Sequence, residues 1–83
     1  MQILFSGRVQ GVGFRHTVKS LSAGFDLNGT VRNLLDGRVE LIVEGVRQEL
    51  TDFHRAIQDS EVGRFVRSEQ VTWSAPVGGL RGF

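Results

Sequence analysis

Eighty-three residues suffice for one small domain, which on folding buries only about 60–65% of its unfolded surface, so one modest core is expected and a second domain is excluded. Ten basic against nine acidic residues leave a formal charge of +1, which excludes the broad basic footprint of a dedicated nucleic-acid binder. The chain has no cysteine, so disulfides and thiolate metal sites are excluded as well.

Met1 leads directly into an alternating segment, with no charged and then apolar leader. No apolar run approaches the roughly 20 residues of a membrane span. The expectation is a cytoplasmic monomer with neither membrane nor nucleic-acid partners. Ile3, Phe5 and Val9 are evenly spaced around Gly7 and predict a first strand with one buried face. Residues 7–15 read Gly-Arg-Val-Gln-Gly-Val-Gly-Phe-Arg, a loop bracketed by Gly11 and Gly13 that delivers Arg15 where a helix begins. Phe14, Val18 and Leu21 follow at i, i+4 and i+7 and form one helical stripe, which Gly24 is placed to stop.

A second strand is expected from about Asn28 to Leu34, closed by Asp36-Gly37 as a tight hairpin with positive φ at both positions. Arg38 to Glu44 alternates, with Val39, Leu41 and Val43 on one face, and Gly45 ends it. A second helix is expected over roughly Gln48 to Gln58, its stripe formed by Val46, Leu50, Phe53 and Ile57. Asp59 to Gly63 reads as loop, and Val66 to Trp73 as a last strand ended by Ala75-Pro76. The tail from Val77 to Phe83 is expected to be weakly structured. The order β-α-β-β-α-β predicts an α+β, ferredoxin-like sandwich: an antiparallel sheet with both helices on one face.

Chemistry concentrates in the glycine loop. A glycine-punctuated turn at a helix N-terminus aims several backbone N–H groups at one spot, which suits an oxyanion. Arg15 adds a permanent cationic fork that matches phosphate oxygens. Its plainer reading is a solvated first-turn arginine, and for Gly11 and Gly13 it is turn geometry alone. His16 and His54 lack ligand-spaced partners and read as surface or helix residues. Trp73 reads as a half-buried strand residue.

The nonapeptide resembles the signature of the acylphosphatase family. Gly29-Thr30-Val31-Arg32-Asn33, followed by Asp36-Gly37 and Arg38-Val39-Glu40, resembles the family's second signature. Arg15 and Asn33 stand eighteen positions apart, as in the family, and the likeness covers essentially the whole chain. It implies hydrolysis of acyl phosphates, small carboxyl–phosphate mixed anhydrides, with no metal or cofactor. The family's phosphate cradle, made mainly of backbone, matches Gln10, Gly11, Val12, Gly13 and Phe14, with the Phe14 side chain expected in the core. The phosphate-binding arginine matches Arg15, and the asparagine that holds the attacking water matches Asn33. A carboxylate leaving group, with a conjugate acid near about pH 4 to 5, departs unprotonated, so a site without a general acid is chemically acceptable.

Three positions depart from the family pattern: Thr30 where an aromatic is common, Leu35 where proline is frequent, and His16 where an aromatic or proline is usual. The family also continues beyond the Gly-Phe matching Gly82-Phe83 with a short edge strand, so a truncated final edge strand is expected here. A metal-carrying domain of this fold would need Cys-x-x-Cys, and an RNA-recognition domain would need aromatics on the Arg38–Glu44 strand; both are missing. His16 stands where a dinucleotide loop needs its third glycine, and no Walker lysine is present. The surviving alternative is a phosphate- or carbamoyl-phosphate-binding module without turnover, resembling the acylphosphatase-like domain of larger carbamoyl-transferring proteins.

Overall fold

Alternation of apolar residues sets the sheet, and the computed structural model describes residues 1–75 and 78–83. The order is β1 (Gln2–Gly7), α1 (Phe14–Ser22), β2 (Leu27–Asn33), β3 (Val39–Gly45), α2 (Arg47–Asp59), a short 3₁₀ helix (Glu61–Phe65) and β4 (Val66–Thr72). All strand pairs are antiparallel, in the spatial order β2-β3-β1-β4. Ile3 and Phe5 of β1 and Val39, Leu41 and Val43 of β3 are fully buried on one face, where Val18 of α1 and Leu50, Phe53 and Ile57 of α2 meet them. Burying each such side chain contributes about 1.5–3 kcal/mol relative to leaving it in water. Phe5 packs on Phe14 with ring centroids 5.0 Å apart, which anchors the start of α1 to the end of β1. On the opposite face, Arg32 bonds its cross-strand partner Glu40 at 2.6 Å, and Gln2 donates to the same carboxylate at 2.9 Å. This ties β2, β3 and β1 together in one register.

Several local expectations are corrected. Strand β1 ends at Gly7, where its pairing with β4 is irregular, so Val9 is buried in the loop rather than in the strand. Helix α1 does stop at Gly24, which directly follows the C-cap Ala23, and i→i−3 bonds from Gly24 to Leu21 and from Phe25 to Ser22 close its end. The hairpin is not a two-residue turn. Gly37 donates to Leu34 O and Leu34 donates to Arg38 O, giving a three-residue connection in which only Gly37 has positive φ (94°). Val46 leaves the α2 stripe: it caps the helix in extended conformation and is 66% exposed. The segment expected as loop winds into the 3₁₀ helix because Val62 buries its side chain in the core. Trp73 lies one residue past β4, 41% exposed, beneath the Arg47 guanidinium. His54, expected as a surface or helix residue, does lie in α2, and its Nε2 meets the Glu69 carboxylate at 3.0 Å.

Pro76 and Val77, expected to end the last strand and begin the tail, lie outside the described residues. Gly82 lies along the β2 edge: Gly29 donates to its carbonyl at 2.8 Å, and its own N–H donates to Asn28 Oδ1 at 2.8 Å. Phe83 packs edge-on against Phe53, with centroids 5.8 Å apart. The tail therefore carries strand-like edge contacts, although it holds no strand among the described residues.

Candidate active site

The segment between β1 and α1 supplies backbone donors. Gly11 and Gly13 take φ of 78° and 82°, the left-handed region that side-chain-bearing residues rarely adopt, and a Cβ on either would meet nothing within 4 Å. The loop is open above both glycines. Gly13 is the N-cap of α1 and makes no side-chain cap bond, and the first turn holds no acidic residue. The first helical bond runs from Thr17 N–H to Gly13 O at 3.0 Å. Among the described residues, no backbone N–H from Gln10 to His16 donates to a protein acceptor. Gly11, Gly13, Arg15 and His16 are exposed, and the first turn of a helix leaves its N–H groups without intrahelical acceptors, so these donors are open to water or a ligand.

Sheet register brings Asn33 to this loop. Phe5 pairs with Val39 and Val39 with Asn33, so Asn33 shares their face two strands from the end of β1. The loop and the hairpin are then tied directly, because Gln10 Nε2 donates to Leu34 O at 2.8 Å and to Arg38 O at 2.9 Å. The hairpin is braced from its other side. The N–H of Arg38 donates to Asp36 Oδ1 at 3.0 Å and its Nε to Oδ2 at 2.8 Å, and the backbone bond foremost holds the Asp36 carboxyl below its ordinary pKa.

Between loop, helix and strand lies a cavity of about 370 Å³. Gly11, Gly13, Phe14, Arg15 and Asn33 line it together with Val9, Val31, His16 and Lys19, and no carboxylate does. Neither the Arg15 guanidinium nor the Asn33 side-chain amide has a hydrogen bond or ion pair among the described residues. Two other concavities of about 450 and 380 Å³ are less suited to an anion, since Glu69 lines one and Glu44 the other. No three His, Cys, Asp or Glu side chains cluster as a metal site would need, among the described residues.

A family model described as Acylphosphatase matches residues 1–83. The chain belongs to the acylphosphatase family. The Acylphosphatase of Nostoc sp. is 42% identical over 81 residues, covering 98% of this chain and 79% of that protein. The Acylphosphatase of Koribacter versatilis is 40% identical over 80 residues, covering 96% and 73%. The crystal structure of acylphosphatase from Bacillus subtilis superposes with a TM-score of 0.86 at 39% identity, covering 99% of this chain and 91% of that one. The acylphosphatase structure from Coxiella burnetii gives 0.72 at 26% identity, covering 92% and 83%.

Within this acylphosphatase-family fold, five of the seven residues singled out from sequence line the cavity: Gly11, Gly13, Phe14, Arg15 and Asn33. Phe14 is buried, as expected for a core ring. Gln10 and Val12 do not line it; the Gln10 side chain is turned to the hairpin, and Val12 packs against the core. His16, Lys19, Val9 and Val31 were not singled out as lining. Lys19 follows Arg15 at i+4 and Val31 precedes Asn33 at i−2, so simple periodicity already places each beside a chosen residue. No helix among the described residues is long and apolar enough to cross a membrane.

Proposed function

We propose that this chain hydrolyses the carboxyl–phosphate bond of acyl phosphates, with the phosphate held by the N–H groups of the 10–15 segment, which runs from the loop into the first turn of α1, and by Arg15. One observation carries the reading: a run of N–H donors with no protein acceptor borders a carboxylate-free cavity that also holds an unpaired guanidinium and an unpaired amide. Donors fixed before substrate arrives need no reorganisation as charge develops on the phosphoryl oxygens. The Arg15 fork adds full positive charge where the loop adds partial charges.

Asn33 supports the other half of the reaction. A neutral amide is no base, but its oxygen can accept from a water and aim that water at phosphorus. Water attacks phosphorus, the bond from phosphorus to the acyl oxygen breaks, and the carboxylate leaves with the electron pair. The water's protons pass to phosphate and solvent. Since the leaving carboxylate is stable unprotonated, positioning and charge stabilisation are the whole task. Neither a general acid nor a metal enters this scheme.

The test is turnover of benzoyl phosphate by the purified chain in excess chelator. Stoichiometric release of benzoate and phosphate is expected. Binding of phosphate without turnover would instead select the non-catalytic binding module.

A further inference from the structure

The cavity holds a second full positive charge beside that of Arg15, the Lys19 ammonium. Arg15 and the loop already face a single phosphoryl group, yet His16 and Lys19 line the same cavity. The chain is nearly neutral as a whole, but its first carboxylate is Asp26, and α1 has no acidic residue at all. Like most of the chain's arginines, the Lys19 ammonium and the His16 ring have no carboxylate partner among the described residues, but these two line the cavity. A helix dipole favours a cation in the last turn of α1, where Lys19 sits, but it does not account for a place on the cavity side.

Spacing gives this charge a direction. Lys19 follows Arg15 by one helical turn, a rise of about 6 Å along α1. An acyl group that leaves the phosphate toward Lys19 meets its ammonium, with the His16 ring beside it; one that turns toward β2 meets Val31.

Building on the hydrolase reading above, we propose that Lys19, with His16 beside it, forms a second anion subsite, so that acyl phosphates carrying a further negative group on the acyl chain are the favoured substrates. The pair to compare is succinyl phosphate, with a distal carboxylate, and butyryl phosphate, of similar length without one. In the wild-type chain kcat/KM is expected to be higher for succinyl phosphate. In Lys19→Gln the succinyl-to-butyryl ratio should fall about threefold to fivefold, through KM for succinyl phosphate, as suits an exposed charge pair. Raising salt should narrow the wild-type ratio in the same direction, because exposed charges are screened. Turnover of both substrates with a ratio that the variant leaves unchanged overturns the subsite alone. Turnover of neither by the wild-type chain overturns the hydrolase reading, and the subsite with it.

Discussion

The side-chain amide of Gln10 donates to the carbonyl of Leu34 at 2.8 Å, and Leu34 directly follows Asn33 in the chain. Its other bond, to Arg38 O at 2.9 Å, grips the far side of the same connection. One side chain on the anion-facing loop thus fixes where the β2–β3 hairpin stands relative to that loop. Gln10→Met keeps length and volume but removes both donors. Two part-buried hydrogen bonds are lost, so stability should fall by about 1–3 kcal/mol. If the bonds position Asn33, kcat at a temperature well below unfolding should also fall, by about tenfold to a hundredfold, with KM changed less. A destabilised variant with wild-type kcat would reduce Gln10 to a structural brace. Thermal melts and steady-state kinetics on the same preparation read both effects.

Asn33→Ala separates water placement from phosphate binding. The Asn33 side chain has no protein partner among the described residues, so its loss should leave folding nearly untouched. The expected result is a lower kcat by about 10²–10³-fold with inhibition by inorganic phosphate little changed. Weaker phosphate inhibition with kcat intact would assign Asn33 to binding instead.

The Asp36 carboxyl, held low chiefly by the Arg38 N–H, gives a pH prediction of definite sign. A carboxyl whose pKa is depressed in the folded state stabilises the fold above its unfolded value of about 3.9, and this contribution is lost as pH falls through the lower folded value. Titration followed by NMR should show the Asp36 midpoint below that of the unfolded chain. In Asp36→Asn the acid limb of the stability profile should flatten. A midpoint at or above the unfolded value would mean that the brace is not formed in solution.

Much of this was readable along the chain, and the exceptions share a cause. Even spacing of Ile3 and Phe5, and of Val39, Leu41 and Val43, sufficed for the strands because each buries one face. Arg15 and Asn33 stood out because their surroundings carry motif, and the fold places both on one cavity. Val46 matched the helical stripe, yet it falls one residue before the first turn of α2, where no face is yet defined. The hairpin contained Asp36-Gly37, but the hydrogen bonds of Leu34 chose a longer connection. The role of Gln10 was hidden for the same reason. Its acceptors lie twenty-four and twenty-eight residues away, and only the sheet register brings them within reach.

Among the described residues, Arg15 is the one arginine that lines the cavity beside the glycine loop, and the proposed hydrolysis depends on it. The most direct measurement is kcat/KM for benzoyl phosphate in the wild-type chain and in Arg15→Ala, with phosphate release as the readout. Loss of a preorganised, charged donor should lower it by about 10²–10³-fold while the exposed position leaves the fold intact. A folded Arg15→Ala chain that turns over benzoyl phosphate at close to the wild-type rate would contradict the assignment.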